Sequence, residues 1–111
     1  MTPEQVSALS GLELNRAMIW LYPVFGEVAD YADGLYLWKT GASRIKVDYL
    51  EDYNLTMPLA FSAGVNVHRI FNSSNRFRAY ESNARFRAVN ENPLRAICEC
   101  LVLIALGKRD G

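Results

Sequence analysis

Residues 92–107, Asn-Pro-Leu-Arg-Ala-Ile-Cys-Glu-Cys-Leu-Val-Leu-Ile-Ala-Leu-Gly, constrain this chain more than any other stretch. Asn92 is an N-cap residue and Pro93 suits the first helical position, where its missing N–H costs nothing. A helix is therefore predicted from Pro93 to about Leu106, with Gly107 ending it. Arg95 and Glu99 stand one turn apart on its polar side. Beyond Glu99 the run Cys-Leu-Val-Leu-Ile-Ala-Leu has no polar side at all. A helix that is apolar all round must be covered on all sides. Either the rest of the chain encloses it, or a second copy covers part of it in a homodimer. The chain has 111 residues and half of them are apolar, enough for one domain, residues 1–111, with a core of its own.

The upstream elements supply candidates for that cover. Ser10-Gly-Leu-Glu13 is a capping box, so a helix should run from there to about Tyr22, where Pro23 stops it. Leu14, Ala17, Met18 and Leu21 form its apolar stripe, and Trp20 falls on the other face between Glu13 and Arg16. Thr2-Pro3-Glu4-Gln5 reads as another short helical start. Residues 23–34 read as loop. Residues 35–40 and 44–49 flank Gly41-Ala-Ser43 and predict a hairpin. Thr56 is a candidate cap for a short helix containing Pro58 in its first turn, and Gly64 suits its exit.

Residues 65–89 alternate in the manner of a three-stranded antiparallel meander. Arg-Phe-Arg-Ala occurs in it twice, at residues 76–79 and 85–88. With turns of four residues at 72–75 and 81–84, Arg69 faces Arg78 and Arg78 faces Arg87. One face then carries Val67, Arg69, Phe71, Arg76, Arg78, Tyr80, Arg85, Arg87 and Val89. The other carries Ile70, Phe77, Ala79, Phe86 and Ala88, with His68, and is the side on which the first and last helices pack. The fold class is α+β, a mainly antiparallel sheet against N- and C-terminal helices. Like charges directly opposite one another cost up to about 1 kcal/mol per pair. Three readings remain open: the acidic N-terminal half covers the row, an anionic partner does, or a one-residue change of register dissolves it.

The chain is formally neutral, with 12 bases and 12 acids. A protein that merely coats nucleic acid is usually basic overall. The neutrality hides an asymmetry: residues 1–53 hold eight acids against four bases, and residues 54–111 hold four acids against eight bases. The polar, acid-bearing start predicts no secretory signal, and no segment has the length of apolar sequence that a membrane span needs. Cys98 and Cys100, two apart in a helix, point apart, which fits reduced thiols in a cytoplasm.

Catalytic patterns are sparse. No phosphate loop, dinucleotide fingerprint or zinc spacing occurs, so neither a cofactor nor a metal site is expected. Cys98 and His68 are a nucleophile and base only in principle, because an apolar helix raises a thiol pKa. Asp48, Glu51 and Asp52 form an acidic group without the calcium-loop pattern. A hydrolase built on these acids is a third, minor reading. Eight of the thirteen aromatic residues lie in residues 1–53. Among them Trp20, Tyr36 and Trp38 are candidates for a protein interface, since exposed Trp and Tyr anchor such surfaces.

Asp48-Tyr-Leu-Glu-Asp-Tyr-Asn-Leu-Thr-Met-Pro-Leu-Ala-Phe-Ser-Ala-Gly-Val65 resembles the middle motif of the NinX-like phage proteins, an Asp-Tyr followed by Met-Pro-Leu and a glycine. Residues 91–107 resemble their C-terminal helix, which begins Asn-Pro-Leu-Arg-Ala, and residues 9–21 are similar to their opening helix. Together these segments cover about half the chain. The resemblance implies an α-β-α sandwich, a phage or prophage origin and the cytoplasm of the infected bacterial host. It carries over no active-site residue, because the family has no established molecular function. Residues 23–47 depart from the pattern and are where a specialised role is expected. The combined expectation is a non-enzymatic accessory protein that binds a host or phage protein and thereby inhibits a host or defence factor. The alternative is an anion-binding module for nucleotide or nucleic acid on the arginine face.

Overall fold

The computed structural model describes residues 1–24, 27–38, 44–70, 76–83 and 85–110, and for Trp38, Arg44 and residues 108–110 the backbone alone. Ten elements follow in order: α1 (Pro3–Ser7), α2 (Gly11–Leu21), β1 (Val28–Tyr31), β2 (Gly34–Trp38), β3 (Arg44–Val47), α3 (Tyr53–Ala63), β4 (Val65–Arg69), β5 (Phe77–Glu81), β6 (Arg87–Asn90) and α4 (Pro93–Asp110). The strands form two antiparallel sheets, β1-β2-β3 and β4-β5-β6. The fold is α+β, as the pattern of the sequence implied.

The organising element is α4. One flank packs on β4-β5-β6 and the rest is covered by α1, α2 and α3. Every residue from Ala96 to Ile104 is buried. The apolar run is thus enclosed by its own domain, and the ground for a homodimer through this helix is removed. At about 1.5–3 kcal/mol per buried large aliphatic side chain, Leu94, Ile97, Leu101, Val102, Leu103 and Ile104 together form the largest favourable block in the molecule. Small residues let the layers close. Ala79 and Ala88 sit directly opposite each other beneath α4, both buried.

The N-terminal helices begin as their sequence dictates. Thr2 with Gln5, and Ser10 with Glu13, form complete capping boxes on α1 and α2. Leu14 and Met18 are fully buried, and Trp20 is exposed. Buried Asn15 lies past the end of β2 and continues its ladder: its amide donates to the Val47 carbonyl at 2.7 Å and accepts from the Tyr49 N–H at 2.9 Å. Tyr49 O–H donates to the Tyr22 carbonyl, and Tyr22 O–H donates to the Leu101 carbonyl on α4. Burial raises both phenols to about 12, so they stay protonated donors.

Several expectations need correction. Residues 28–31, read as loop, form β1 and close a two-residue turn onto β2. Gly34 makes this turn affordable, with φ at 148° and the Lys46 side chain lying over it. The helix at 53–63 starts earlier than expected: Asp52 caps it, Thr56 is buried inside it and donates to the Tyr49 carbonyl, and Pro58 lies within it. Gly64, left-handed at φ 71°, ends it as anticipated. Gly107 does not end α4, which continues to Asp110. The glycine is there for space: a Cβ would stand inside van der Waals contact of Phe86 Cζ and within 3.1 and 3.2 Å of its Cε atoms.

In an open helix interior Gly→Ala stabilises by about 1 kcal/mol. Here Gly107→Ala is expected to destabilise by about 1–3 kcal/mol through overpacking. Urea unfolding of Gly107→Ala, alone and with Phe86→Leu, checks this. The double variant should recover most of the loss, and a stabilised single variant would contradict the packing argument.

Candidate functional site

The candidate surface is the outer face of β4-β5-β6, opposite α4. Its composition follows from register. β4 pairs with β5 as Val65↔Glu81, Val67↔Ala79, His68↔Arg78 and Arg69↔Phe77. The Ile70 N–H donates to the Arg76 carbonyl at 2.9 Å, which extends the same register toward the turn. The expected pairing of Arg69 with Arg78 is therefore off by one residue, and such a slip exchanges the faces of a whole strand. Val65 and Val67 turn toward α4, His68 turns outward, and Arg69 leaves the row for the helix-facing side at the exposed sheet edge. Residues 71–75, including Phe71 and the expected turn, lie outside the described residues.

The second turn does not begin at Glu81 as expected, and Ala84 lies outside the described residues. Glu81 stays in β5 because its N–H donates to the Phe86 carbonyl at 3.0 Å. The next residue is anchored across the sheet: the Ser82 N–H and hydroxyl both donate to the Gly64 carbonyl, at 2.9 and 2.8 Å. Arg87 then faces Tyr80, and Arg78 faces Val89. The continuous row Arg69-Arg78-Arg87 does not form. What replaces it is a mixed face. One rung carries Asn66, Tyr80 and Arg87, the next His68, Arg78 and Val89, and Arg76 follows Arg78 along β5. His68, Arg76 and Arg87 are exposed, while Arg78 and Tyr80 are half-buried. The His68 and Tyr80 rings lie edge to face with centroids 5.3 Å apart. Arg85, in the turn, stands over the Phe86 ring at 5.3 Å.

The acidic half does not neutralise this face. Among the described residues Arg69, Arg76, Arg78, Arg85 and Arg87 form no ion pair, and Arg78 Nε is buried without a hydrogen-bond partner. Five of the eight acids of residues 1–53 are engaged locally. Asp30 holds Arg16 at 2.8 Å, Glu13 caps α2, Asp52 caps α3, and Asp48 accepts from the Leu50 N–H. Asp33 accepts from Tyr36 O–H at 2.8 Å. Glu4 borders the same shallow cleft as Arg87 without pairing with it.

Of the aromatic candidates, Trp20 is the exposed one, with 74% of its surface accessible. Tyr36 is half-buried, with its ring edge to face against Tyr31 and its hydroxyl on Asp33. Trp38 lies in β2, and its side chain is outside the described residues. A feature that pattern reading missed is an apolar groove of about 640 Å³ between the end of α2, the second and third strands and α3. Leu21, Leu37, Ile45, Val47, Leu55 and Leu59 line it. Its residues come from four separated segments, so no local sequence signal marks it.

The groups weighed for chemistry lie apart. Cys98 is fully buried beneath Tyr49, whose carbonyl its thiol faces at 3.4 Å, whereas His68 stands on the opposite side of the other sheet. Burial pushes both thiols up to about 12. Among the described residues no three His, Cys, Asp or Glu side chains gather as a metal site would require, and no helix is long and apolar enough to cross a membrane. Glu99 is buried too, its carboxyl raised by desolvation against the opposing pull of Arg95 at 3.1 Å.

No family model matches this chain, and none of the curated proteins is significantly similar to it.

Burial of both sulfurs gives a direct expectation. Neither thiol should react with an aromatic disulfide reagent in the native protein at mildly alkaline pH, and both should react at once in denaturant. One equivalent of rapid native reaction would show an accessible thiolate and reopen a nucleophilic role.

Proposed function

We propose that this chain is a non-enzymatic accessory protein, of the NinX-like phage type and working in the cytoplasm of the infected host, that acts by binding an anionic partner on the outer face of β4-β5-β6. The observation that carries this reading is the set of cations on one solvent face without acids to neutralise them. Arg76, Arg78 and Arg87 share that face with His68, and five acids of the N-terminal half (Glu13, Asp30, Asp33, Asp48 and Asp52) are engaged elsewhere. Arginine binds phosphate and carboxylate through a planar fork of donors, so a cationic sheet face suits an oxyanion-bearing partner. The overall neutrality of the chain confines the attraction to this face and makes it short-ranged and salt-sensitive.

A second reading has its own observation. The groove beside β3 and the exposed side chains of Trp20, Ile45, Tyr53 and Phe61 suit a protein partner, such as a host or defence protein to be inhibited. That partner would bind with little dependence on salt and would be lost on Trp20→Ala.

Heparin chromatography separates the two. Despite its zero formal charge the protein is expected to be retained at low salt, and Arg78→Ala/Arg87→Ala to elute at distinctly lower salt with an unchanged melting temperature. Passage of the wild type through the column unretained would overturn the anion reading.

A further inference from the structure

The cationic face has more on it than charge. Arg78 and Tyr80 on β5, and Arg76 just before it, occupy successive same-face positions, about 7 Å apart for strand geometry. Arg87 stands one strand away from Tyr80 and His68 one strand away from Arg78, at spacings of about 5 Å. Cations and rings thus alternate over the surface. The edge-to-face pairing of His68 with Tyr80 matters here, because a T-shaped pair leaves both faces of the edge-donating ring unused within the pair. Asn66, exposed at the rim beside Tyr80, adds an amide that both donates and accepts.

Resting on the anion reading above, we infer that the partner is single-stranded nucleic acid, its phosphates on Arg76, Arg78 and Arg87 and its bases against the rings of His68 and Tyr80. Each part of the chemistry narrows the choice. Three arginines on two strands cannot all reach one isolated phosphate, whereas an extended polyanion meets them in succession. A duplex is a poor fit, since the major groove admits a helix or a two-stranded ribbon, and this face is a three-stranded sheet backed by α4. Duplex bases also have no face free to stack. An acidic peptide would satisfy the arginines but leave the rings without a partner. Unpaired bases with a phosphate backbone use both sets of groups, the combination on which single-strand binders rely.

Three phosphate contacts on a single strand predict a slope of about −2 in log K against log salt, a loss of about 20-fold between 50 and 200 mM. Fluorescence anisotropy with a labelled mixed-sequence DNA strand of about 12 nucleotides measures it, with the matching duplex and poly-glutamate as comparisons. The expected result is binding with that slope, at least about tenfold weaker for duplex and poly-glutamate, and weakened about tenfold by Tyr80→Ser. His68→Ala alters an exposed side chain and serves if Tyr80→Ser perturbs the thermal melt. Equal affinity for duplex or poly-glutamate, indifferent to both ring variants, would overturn this inference and leave the anion reading standing. Absence of binding to every polyanion at 50 mM salt would overturn both.

Discussion

The enclosure of α4 is the constraint on which the rest of this molecule depends. From Ala96 to Ile104 every residue is buried, so α1, α2, α3 and the sheet β4-β5-β6 all place an apolar side against this one helix. The enclosure also traps a charge. Glu99 is 2% exposed in the middle of the helix, where an unpaired carboxylate would cost several kcal/mol. Arg95, one turn earlier, meets it at 3.1 Å, and Asn90 at the end of β6 donates to it at 3.4 Å. The rest of the Arg95 guanidinium donates to the Ser7 and Leu9 carbonyls in the α1–α2 connection. One buried pair thus ties the last strand, the last helix and the two first helices together. Removing either partner would strand the other, which is a stronger reason for the pair to persist than any net attraction it supplies.

The same enclosure sets the outer surface of the meander. Phe86 has to reach the space left open at Gly107, and Ala79 and Ala88 have to lie under the helix. Once these three positions are fixed, alternation sends Arg78, Tyr80 and Arg87 outward without any selection for charge at that step. The cations on the outer face are therefore free to serve binding. They hold no part of the core, and the face can change its electrostatics at little cost to folding. Glu13, Asp48 and Asp52 in the first half, by contrast, are bound into caps and turns, where each completes a local backbone hydrogen bond.

Much of this was legible in the residues, and what was not shares one physical cause. Capping boxes, the Asn92-Pro93 start and the left-handed Gly64 depend on interactions within a few positions, and each was readable. The pairing of β4 with β5 depends on how many residues the intervening turn takes, which no short-range pattern specifies. One residue there moved His68 outward and Arg69 inward, so the arginine row became a mixed face of cations and rings. Gly107 was misread for the same reason. Its signal as a helix terminator is local, but its role is set by Phe86, far away in sequence. The groove beside β3 was invisible because its walls come together only in three dimensions.

That pattern of success and failure bears on which surface carries function. A face assembled from one meander is held by ladder hydrogen bonds over its whole width, so Arg78, Tyr80 and Arg87 keep their relative positions without a ligand. With the backbone spacing already set, only the side-chain rotamers have to be ordered on binding. The walls of the groove belong to α2, the β2–β3 hairpin and α3, which hydrogen bonds of Asn15, Tyr49 and Thr56 tie together. On the reading proposed above, the sheet face offers an anionic partner positions that backbone geometry already determines.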